Sequence, residues 1–326
     1  MNHRKSLLNN RKNLLNYLKN PLKNWENSLN KIVCELLSVA LVCCIVSSLS
    51  VAIFPAYRAK AETGHIVDID SPDGPRGYGV YIGATSEQLH TKLDKDKSIG
   101  LAIIDAQNVS AEDLRSFRAH GRRIYSYLNV GSIEDFRDYF DAFSGITLGE
   151  YANWPGEYWV DVSEQAWQDF IVDNVAAEIV LKGADGFFID NTDVYYNYPH
   201  SWIYKGLVNI ITRLRDTYHL PIIINGGDTF VSKLMDEGKT ELITGVNQEA
   251  VFSTVKDYEY GLFGEQPALD RAYFEEYLAR AKKEGLIVYM IEYTRDMKLV
   301  EKIKEFCKQN GYKCYVTDSL KLDGNV

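Results

Sequence analysis

The sequence has few histidines and cysteines, the residues that most often bind zinc. Its six histidines are scattered, without His-x-His or His-Glu-x-x-His spacing, so we expect no metal site and no cofactor. Of the five cysteines, three lie in or beside an N-terminal apolar run: Cys34, Cys43 and Cys44. Cys307 and Cys314 remain beyond it. They could pair after export, but a disulfide between a helix and the following strand makes strict demands on geometry.

Positive charge is scarce beyond residue 61. The whole chain has a formal net charge of −9, but residues 1–61 hold nine Lys or Arg and two Glu, which leaves −16 on residues 62–326. Nucleic acid is therefore a poor partner, because phosphate binding requires basic patches. A neutral or cationic substrate suits an acidic surface better, although acid on an exported protein also serves solubility.

The N-terminal segment joins a basic stretch to an uncharged apolar run. Residues 1–31 are rich in Lys and Arg, and residues 36–54 carry no charge over a length that can span a bilayer. Residues 59–61, Ala-Lys-Ala, then resemble a signal-peptidase site. We expect a cleaved signal peptide or, as the alternative, a membrane anchor; the basic flank argues against a buried helix. Either case predicts an extracellular or cell-surface protein.

Short apolar segments alternate with amphipathic helical patterns from residue 78 onward, after a Gly- and Pro-containing linker at residues 62–77. Buried parallel strands have continuous apolar sequences. Eight such segments with intervening helices predict a single (β/α)₈ TIM barrel, an α/β fold, over residues 78–326. The predicted strands are Tyr78–Ile82, Ile99–Asp105, Arg123–Asn129, Gly186–Asp190, Pro221–Asn225, Leu242–Asn247, Leu286–Glu292 and Lys313–Thr317.

The most informative segment is Phe187–Asp193, in which an apolar strand ends in two acids, Asp190 and Asp193. A second strand also ends in acid, at Glu249. The carboxyl ends of the strands are where TIM barrels hold their catalytic residues. A single Asp after a strand often only caps the next helix, but two strand-end carboxylates facing one pocket can hydrolyse a glycosidic bond. We therefore predict Asp190 and Glu249 as the catalytic residues.

Further polar and aromatic side chains follow the other predicted strands. Aromatic faces beside acids and amides suit a sugar, whose C–H face stacks on a ring while its hydroxyls form hydrogen bonds. Any single aromatic here is more often a packing residue. The predicted substrate-binding residues are Asp105, Tyr127, Asn129, Asp193, Tyr195, Tyr196, Asn225, Asn247, Glu292 and Tyr293.

The ordered set of motifs resembles glycoside hydrolase family 114, the endo-α-1,4-polygalactosaminidases. The resemblance runs from about Tyr78 to Thr317. It implies a (β/α)₈ barrel that cleaves α-1,4 links in galactosamine-containing polysaccharide, with Asp190 and Glu249 at the matching acidic positions. One departure is Ser132, where the family usually has Glu; the nearest acid here is Glu134. The motifs are Tyr127–Gly131, Glu134–Tyr139, Trp154–Asp161, Gly183–Asp193, Ile224–Gly226 and Val246–Glu249.

Our mechanistic hypothesis makes Asp190 the nucleophile and Glu249 the general acid/base, since one carboxylate must be ionised and the other must carry a proton. Asp105, Asn225 and Glu292 would orient hydroxyl or amino groups. Two alternatives stay open. One is a barrel glycosidase that acts on another α-linked glycan; the other is a non-catalytic carbohydrate-binding barrel at the cell surface, which would need neither acid.

Overall fold

The computed structural model of the protein describes residues 70–71, 74–75 and 77–324. The predicted signal peptide or anchor, residues 1–61, lies outside the described residues. In the part that the structure describes, no helix is both long and apolar enough to cross a membrane. Of the predicted linker, Asp70–Ser71 and Gly74–Pro75 pair as a short antiparallel ladder. The predicted domain boundaries stay predictions.

Eight parallel strands form a nearly closed barrel in which sequence neighbours are also neighbours in space. Strand β8 returns to β1, where the rings of Tyr81 and Tyr315 meet edge to face at 5.6 Å. The predicted TIM barrel is therefore confirmed. The strands are β1 (Gly77–Tyr81), β2 (Ile99–Ile104), β3 (Arg123–Asn129), β4 (Gly186–Asp190), β5 (Ile222–Asn225), β6 (Gly245–Glu249), β7 (Ile287–Tyr293) and β8 (Lys313–Thr317).

Helices connect the strands on the outside of the barrel. The first begins with a capping box, in which Thr85 and Gln88 satisfy each other's backbone N–H groups. Every residue of β2 is buried, as expected for a strand between helices and the barrel interior. The helices are α1 (Ser86–Lys95), α2 (Ala111–Phe117), α3 (Gln165–Asp169, continuing through a π-helical Phe170–Ala176 into Ala177–Lys182), α4 (Ser201–Tyr218), α5 (Asp228–Asp236), α6 (Ala268–Lys283) and α7 (Met297–Asn310).

Two antiparallel insertions follow the carboxyl ends of β3 and β6. The first, which we call the β3 insertion, is a three-stranded sheet of Ser132–Glu134, Thr147–Glu150 and Glu157–Val160. The second, the β6 hairpin, pairs Ser253–Asp257 with Leu262–Glu265. Both elements lie at the end of the barrel where the predicted catalytic acids are.

The two cysteines of the barrel carry free thiols in this structure. Cys307 on α7 is buried, and its Sγ lies 3.4 Å from the Sδ of Met290 on β7. Cys314 on β8 is partly exposed. The structure therefore describes a barrel whose strands and helices are held together without a disulfide among the described residues.

Candidate active site

Asp190 and Glu249 lie close together at the carboxyl ends of β4 and β6. Asn225, which ends β5 between them, joins the two acids: its Nδ2 donates to Asp190 Oδ1 at 2.9 Å and to Glu249 Oε1 at 2.8 Å. The distance between Asp190 Oδ1 and Glu249 Oε1 therefore cannot exceed the sum of these two hydrogen-bond lengths. Three consecutive strands thus supply a carboxylate, an amide and a second carboxylate.

A chain of hydrogen bonds fixes the orientation of the Asn225 amide. Tyr78 on β1 donates its hydroxyl to Asn247 Oδ1 at 3.1 Å, and Asn247 Nδ2 donates to Asn225 Oδ1 at 2.6 Å. Because each amide oxygen has a donor in front of it, neither amide can flip without losing a buried hydrogen bond. The Nδ2 of Asn225 must therefore face the two carboxylates.

The surroundings of Asp190 favour its neutral form. Burial, followed by the charge of Glu249, raises the pKa of Asp190 well above its usual range. Tyr293 donates its hydroxyl to Glu249 Oε2 at 2.5 Å. Burial and the charge of Glu249 also raise the pKa of Tyr293, which therefore stays a neutral donor.

The backbone turns in the same unusual way after both acids. Asn191, directly after Asp190, has φ 64°, and Ala250, directly after Glu249, has φ 55°. The left-handed region suits Asn but is costly for Ala, so Ala250 stores strain next to Glu249. The Asn191 carbonyl also approaches Gly131 so closely that a Cβ there would lie 1.8 Å from the oxygen. A side chain at position 131 would displace the turn after Asp190.

Asp193 lies beside the pair and is tied to the start of α5. Both of its oxygens accept from the backbone N–H of Gly227, at 3.1 and 3.0 Å. Gly226 and Gly227 have left-handed conformations, and a Cβ on Gly226 would meet Asp193 Oδ2 at 2.8 Å. Burial raises the pKa of Asp193 to about 6. This carboxylate is therefore part of the same acidic site.

Asp105 and Tyr127 belong to a buried ion-pair cluster. Arg137 contacts Asp105 Oδ2 at 3.0 Å and Glu134 Oε1 at 3.1 Å, and Tyr127 donates to Glu134 at 3.3 Å. Asp105 also caps the short helix that follows it, through Gln107 N–H. The structure gives these residues internal partners, so their contact with a substrate stays a prediction.

Glu292 is wholly buried and holds the start of the β6 hairpin. Its two oxygens accept from the backbone N–H groups of Val251, Phe252 and Ser253 and from the Ser253 hydroxyl, at 2.6 to 3.2 Å. Burial raises the pKa of Glu292 to about 7. In this structure Glu292 positions the segment just after Glu249, and its contact with a substrate stays a prediction.

Glu157 is a fourth carboxylate at the site, one that the sequence did not single out. It extends from the β3 insertion, and its Oε1 accepts from Ser132 Oγ at 2.5 Å, Asn191 Nδ2 at 2.9 Å and Asn129 Nδ2 at 3.2 Å. The predicted ligand Asn129 thus holds Glu157. The acid next to Ser132 is therefore Glu157, from the neighbouring strand, rather than Glu134. The sequence feature that could have drawn attention to Glu157 is the Pro155-Gly156 turn directly before it.

Aromatic residues of the two insertions surround the acids. Tyr151 stacks on Trp159 at 4.1 Å. Burial raises the pKa of Tyr151, and the charges of Asp190, Asp193, Glu157 and Glu249 add to this effect. The Tyr151 phenol is therefore near enough to all four carboxylates to feel their charge. Above them, Trp154 of the β3 insertion meets Tyr258 of the β6 hairpin edge to face at 6.1 Å.

The predicted substrate-binding residues Tyr195 and Tyr196 lie on the short helix Val194–Asn197. Tyr195 packs against the ring of Tyr204, with ring centroids 5.5 Å apart, whereas Tyr196 is 68% exposed. Tyr196 is therefore free to contact a ligand. Within the described residues no group of His, Cys, Asp and Glu has the arrangement of a metal site.

Barrel enzymes hold their catalytic residues at this end of the strands, and most glycosidases use a pair of carboxylates. The model of glycoside-hydrolase family GH114 matches residues 83–325. The chain belongs to this family. The predicted family resemblance is therefore confirmed, and the protein is a glycoside hydrolase.

Solved structures similar to this GH114 chain share its fold. The glycoside hydrolase domain of PelA from Pseudomonas aeruginosa has a TM-score of 0.65 and 18% identity, over 77% of this chain and 97% of that domain. Ega3 from Aspergillus fumigatus, in complex with galactosamine, has a TM-score of 0.60 and 15% identity, over 76% and 93%. An uncharacterized protein of Deinococcus radiodurans is 28% identical over 87 residues, which cover 25% of this chain and 28% of that protein.

Proposed function

We propose that this protein is an exported glycoside hydrolase that cleaves α-1,4 links in galactosamine-containing polysaccharide with a two-carboxylate mechanism. The observation that carries the proposal is the Asn225 nitrogen that joins Asp190 and Glu249 at the barrel mouth. The family supports glycoside hydrolysis. We name galactosamine as the sugar of the substrate because it is the ligand of the Ega3 structure.

The proposed reaction has two displacements. Ionised Asp190 attacks the anomeric carbon, and Glu249 gives its proton to the glycosidic oxygen as the bond between that carbon and the oxygen breaks. A water molecule then attacks the same carbon, gives a proton to Glu249 and releases the Asp190 carboxylate. The first step requires an ionised Asp190 and a protonated Glu249, and the second requires Glu249 without its proton, so that it can accept one from the water molecule.

The short distance within the pair supports retention of anomeric configuration. The two oxygens on Asn225 are closer than the ~6.5–9.5 Å that an inverting pair needs to admit a water molecule, and they suit the ~5 Å of retaining enzymes. Nuclear magnetic resonance of the first products formed from an α-linked oligosaccharide would give the configuration. An initial product of inverted configuration would contradict this mechanism.

The raised pKa of Asp190 bears on which of the two acids is the nucleophile and which is the general acid/base. In the free protein, burial and the charge of Glu249 raise the pKa of Asp190 and favour its neutral form, whereas a nucleophile must be ionised. Azide rescue of the alanine variants separates the alternatives. Glu249→Ala with azide should give a glycosyl azide of retained configuration, and Asp190→Ala one of inverted configuration. The opposite pattern would exchange the two roles.

The charge of the site supports a cationic substrate. Within the described chain, Asp190, Asp193, Glu157 and Glu249 take part in none of the ion pairs. De-acetylated galactosamine units are protonated near neutral pH and would supply the missing positive charge. Attraction of this kind is screened by salt over a Debye length of ~8 Å.

The direct test is degradation of purified polymers, with products identified by mass spectrometry. We expect wild-type protein to shorten partly de-acetylated α-1,4-galactosaminan, with a KM that rises with salt and a kcat that changes little. Cleavage of a different α-linked glycan alone would favour the first alternative function. Binding without cleavage of any polymer would favour the carbohydrate-binding barrel.

Export is the part of the proposal that depends on residues 1–61. The basic stretch and the apolar run support it. Protease added to intact cells should digest residues 62–326, or the culture supernatant should contain them. Protein that stays wholly in the cytosolic fraction would contradict both the signal-peptide and the anchor interpretation.

A further inference from the structure

Glu157 is held in one position by three neutral donors that all reach the same oxygen. Ser132 Oγ, Asn129 Nδ2 and Asn191 Nδ2 donate to Oε1, while Oε2 accepts no hydrogen bond from any described residue. The side chain is partly exposed. One oxygen is therefore used to fix the carboxylate, and the other is available to a ligand.

The residues that hold Glu157 are the immediate neighbours of Asp190. Asn129 is the ladder partner of Asp190 across β3 and β4, and Asn191 follows Asp190 in the chain. Glu157 thus lies beside the proposed nucleophile, on the side of the β3 insertion. On a sugar whose anomeric carbon faces Asp190, the ring carbon next to the reacting carbon is C2. With C2 on the side of the β3 insertion, its substituent would face Glu157.

The charge of Glu157 has no counterion among the described residues. The nearest arginine of the insertion, Arg137, is engaged by Asp105 and Glu134. A partly buried carboxylate without a cation costs free energy that a bound cation would recover. A neutral hydroxyl on C2 offers no such compensation, but a protonated amine does.

We propose that Glu157 binds the protonated amino group on C2 of the sugar held at Asp190, and so gives the site its preference for de-acetylated galactosamine units. The identity of this sugar rests on the proposed function. Glu157 acts in specificity: it selects the substituent beside the reacting carbon and leaves bond cleavage to Asp190 and Glu249.

The test compares two sugars that differ only at C2, galactosamine with an amine and galactose with a hydroxyl. Their binding at neutral pH to wild type, Glu157→Gln and Glu150→Gln is measured by titration followed with nuclear magnetic resonance. Glutamine keeps an oxygen for the three donors and loses only the charge. Glu150 lies exposed on the same sheet, so its variant removes the same charge without touching the site.

We expect wild type and Glu150→Gln to bind galactosamine roughly tenfold or more tightly than galactose, the effect of one charge-assisted hydrogen bond. Glu157→Gln should reduce this ratio to about one while retaining galactose binding. An unchanged ratio in Glu157→Gln, or an equal loss for both sugars, would overturn the inference.

Polymer hydrolysis is measured on the same preparations. It distinguishes a failure of the Glu157 inference from a failure of the proposed function. Wild type that cleaves galactosaminan but has no Glu157-dependent preference for galactosamine retains its function and refutes the role of Glu157. Wild type that has this preference and cleaves no galactosaminan supports Glu157 and refutes the proposed activity.

Discussion

Asp190 and Glu249 accept hydrogen bonds from one and the same nitrogen, the Nδ2 of Asn225. The amide has two protons on this atom and gives one to each acid. It therefore sets the distance between the carboxylates and stabilises negative charge on either of them. An aspartate at position 225 would replace this donor with a third negative charge.

The first prediction concerns the two acids. Asp190→Asn and Glu249→Gln should each reduce hydrolysis of the best substrate on the order of 10³-fold or more, because each removes a group that reacts. The thermal unfolding midpoint of Asp190→Asn should equal or exceed that of wild type, since the fold already favours the neutral acid. Glu265→Gln, on the exposed face of the β6 hairpin, serves as the control with normal activity. Near-normal turnover in both site variants would refute the assignment.

A second prediction separates two tyrosines of the same strand. Tyr78 donates to Asn247, whereas the buried hydroxyl of Tyr81 has no hydrogen-bond partner among the residues that the structure describes. Tyr78→Phe should lower kcat roughly tenfold and shift the pH–rate profile, because the Asn247 and Asn225 amides lose their fixed orientation. It should also cost about 1–3 kcal/mol of stability by leaving a buried acceptor unpaired.

Tyr81→Phe removes an equivalent atom from β1 and is the matched control. Its kcat, pH profile and stability should stay close to those of wild type, since no hydrogen bond is lost. Steady-state kinetics over a range of pH, together with urea unfolding, measure both variants. If the two variants behave alike, the hydroxyl of Tyr78 does not position the acids.

The third prediction is a dependence of stability on pH. Burial raises the pKa of Glu292 to about 7, so the folded protein binds a proton at this group that the unfolded chain has already released. Its contribution to stability is complete below the ordinary carboxyl pKa and is lost as the pH rises through about 7. Up to ~3 kcal/mol of the free energy of unfolding is involved.

Urea unfolding between about pH 5 and about pH 8 measures this effect. Wild type should lose stability across the interval, and Glu292→Gln should lose less, since its side chain does not ionise. The exposed Glu265→Gln should follow wild type. A Glu292→Gln variant with the full wild-type decline would show that Glu292 titrates normally.

The fourth prediction tests the strain after Glu249. Ala250 has φ 55°, which costs an alanine about 1–2 kcal/mol and a glycine little. Ala250→Gly should therefore be as stable as wild type or more stable, despite the greater freedom of its unfolded chain. Ala281→Gly in α6, a buried helical position, should lose about 1 kcal/mol or more in the same urea titration. Equal losses in both variants would mean that Ala250 is not strained.

The barrel could be predicted because its strands are buried on both faces and so have continuous apolar sequences. β3, β4 and β8 begin and end at the predicted residues. β6 was placed too early: the structure has a 3₁₀ turn at Thr240–Leu242 and starts the strand at Gly245. Leu242 at the end of that turn and Ile243 just after it are both buried, and burial alone does not distinguish a turn from a strand.

The β3 insertion and the β6 hairpin could not be predicted in this way. Thr147–Glu150 alternates partly buried and exposed residues, and its pairing depends on a partner ten residues away. The acids at strand ends were found from their position, but the links of Tyr78 and Glu157 to the site join distant parts of the chain. Such contacts leave no local signal.

The hydrogen bond from Tyr78 to Asn247 spans 169 residues of sequence. It connects the first barrel strand to the sixth, so Asn225 gains its orientation only once β1 has docked. A partly folded chain could contain Asp190, Asn225 and Glu249 on adjacent strands and still lack an ordered pair of acids. Contacts this far apart in sequence form late and slowly. In refolding, the return of enzymatic activity should therefore follow closure of the barrel rather than formation of its central strands.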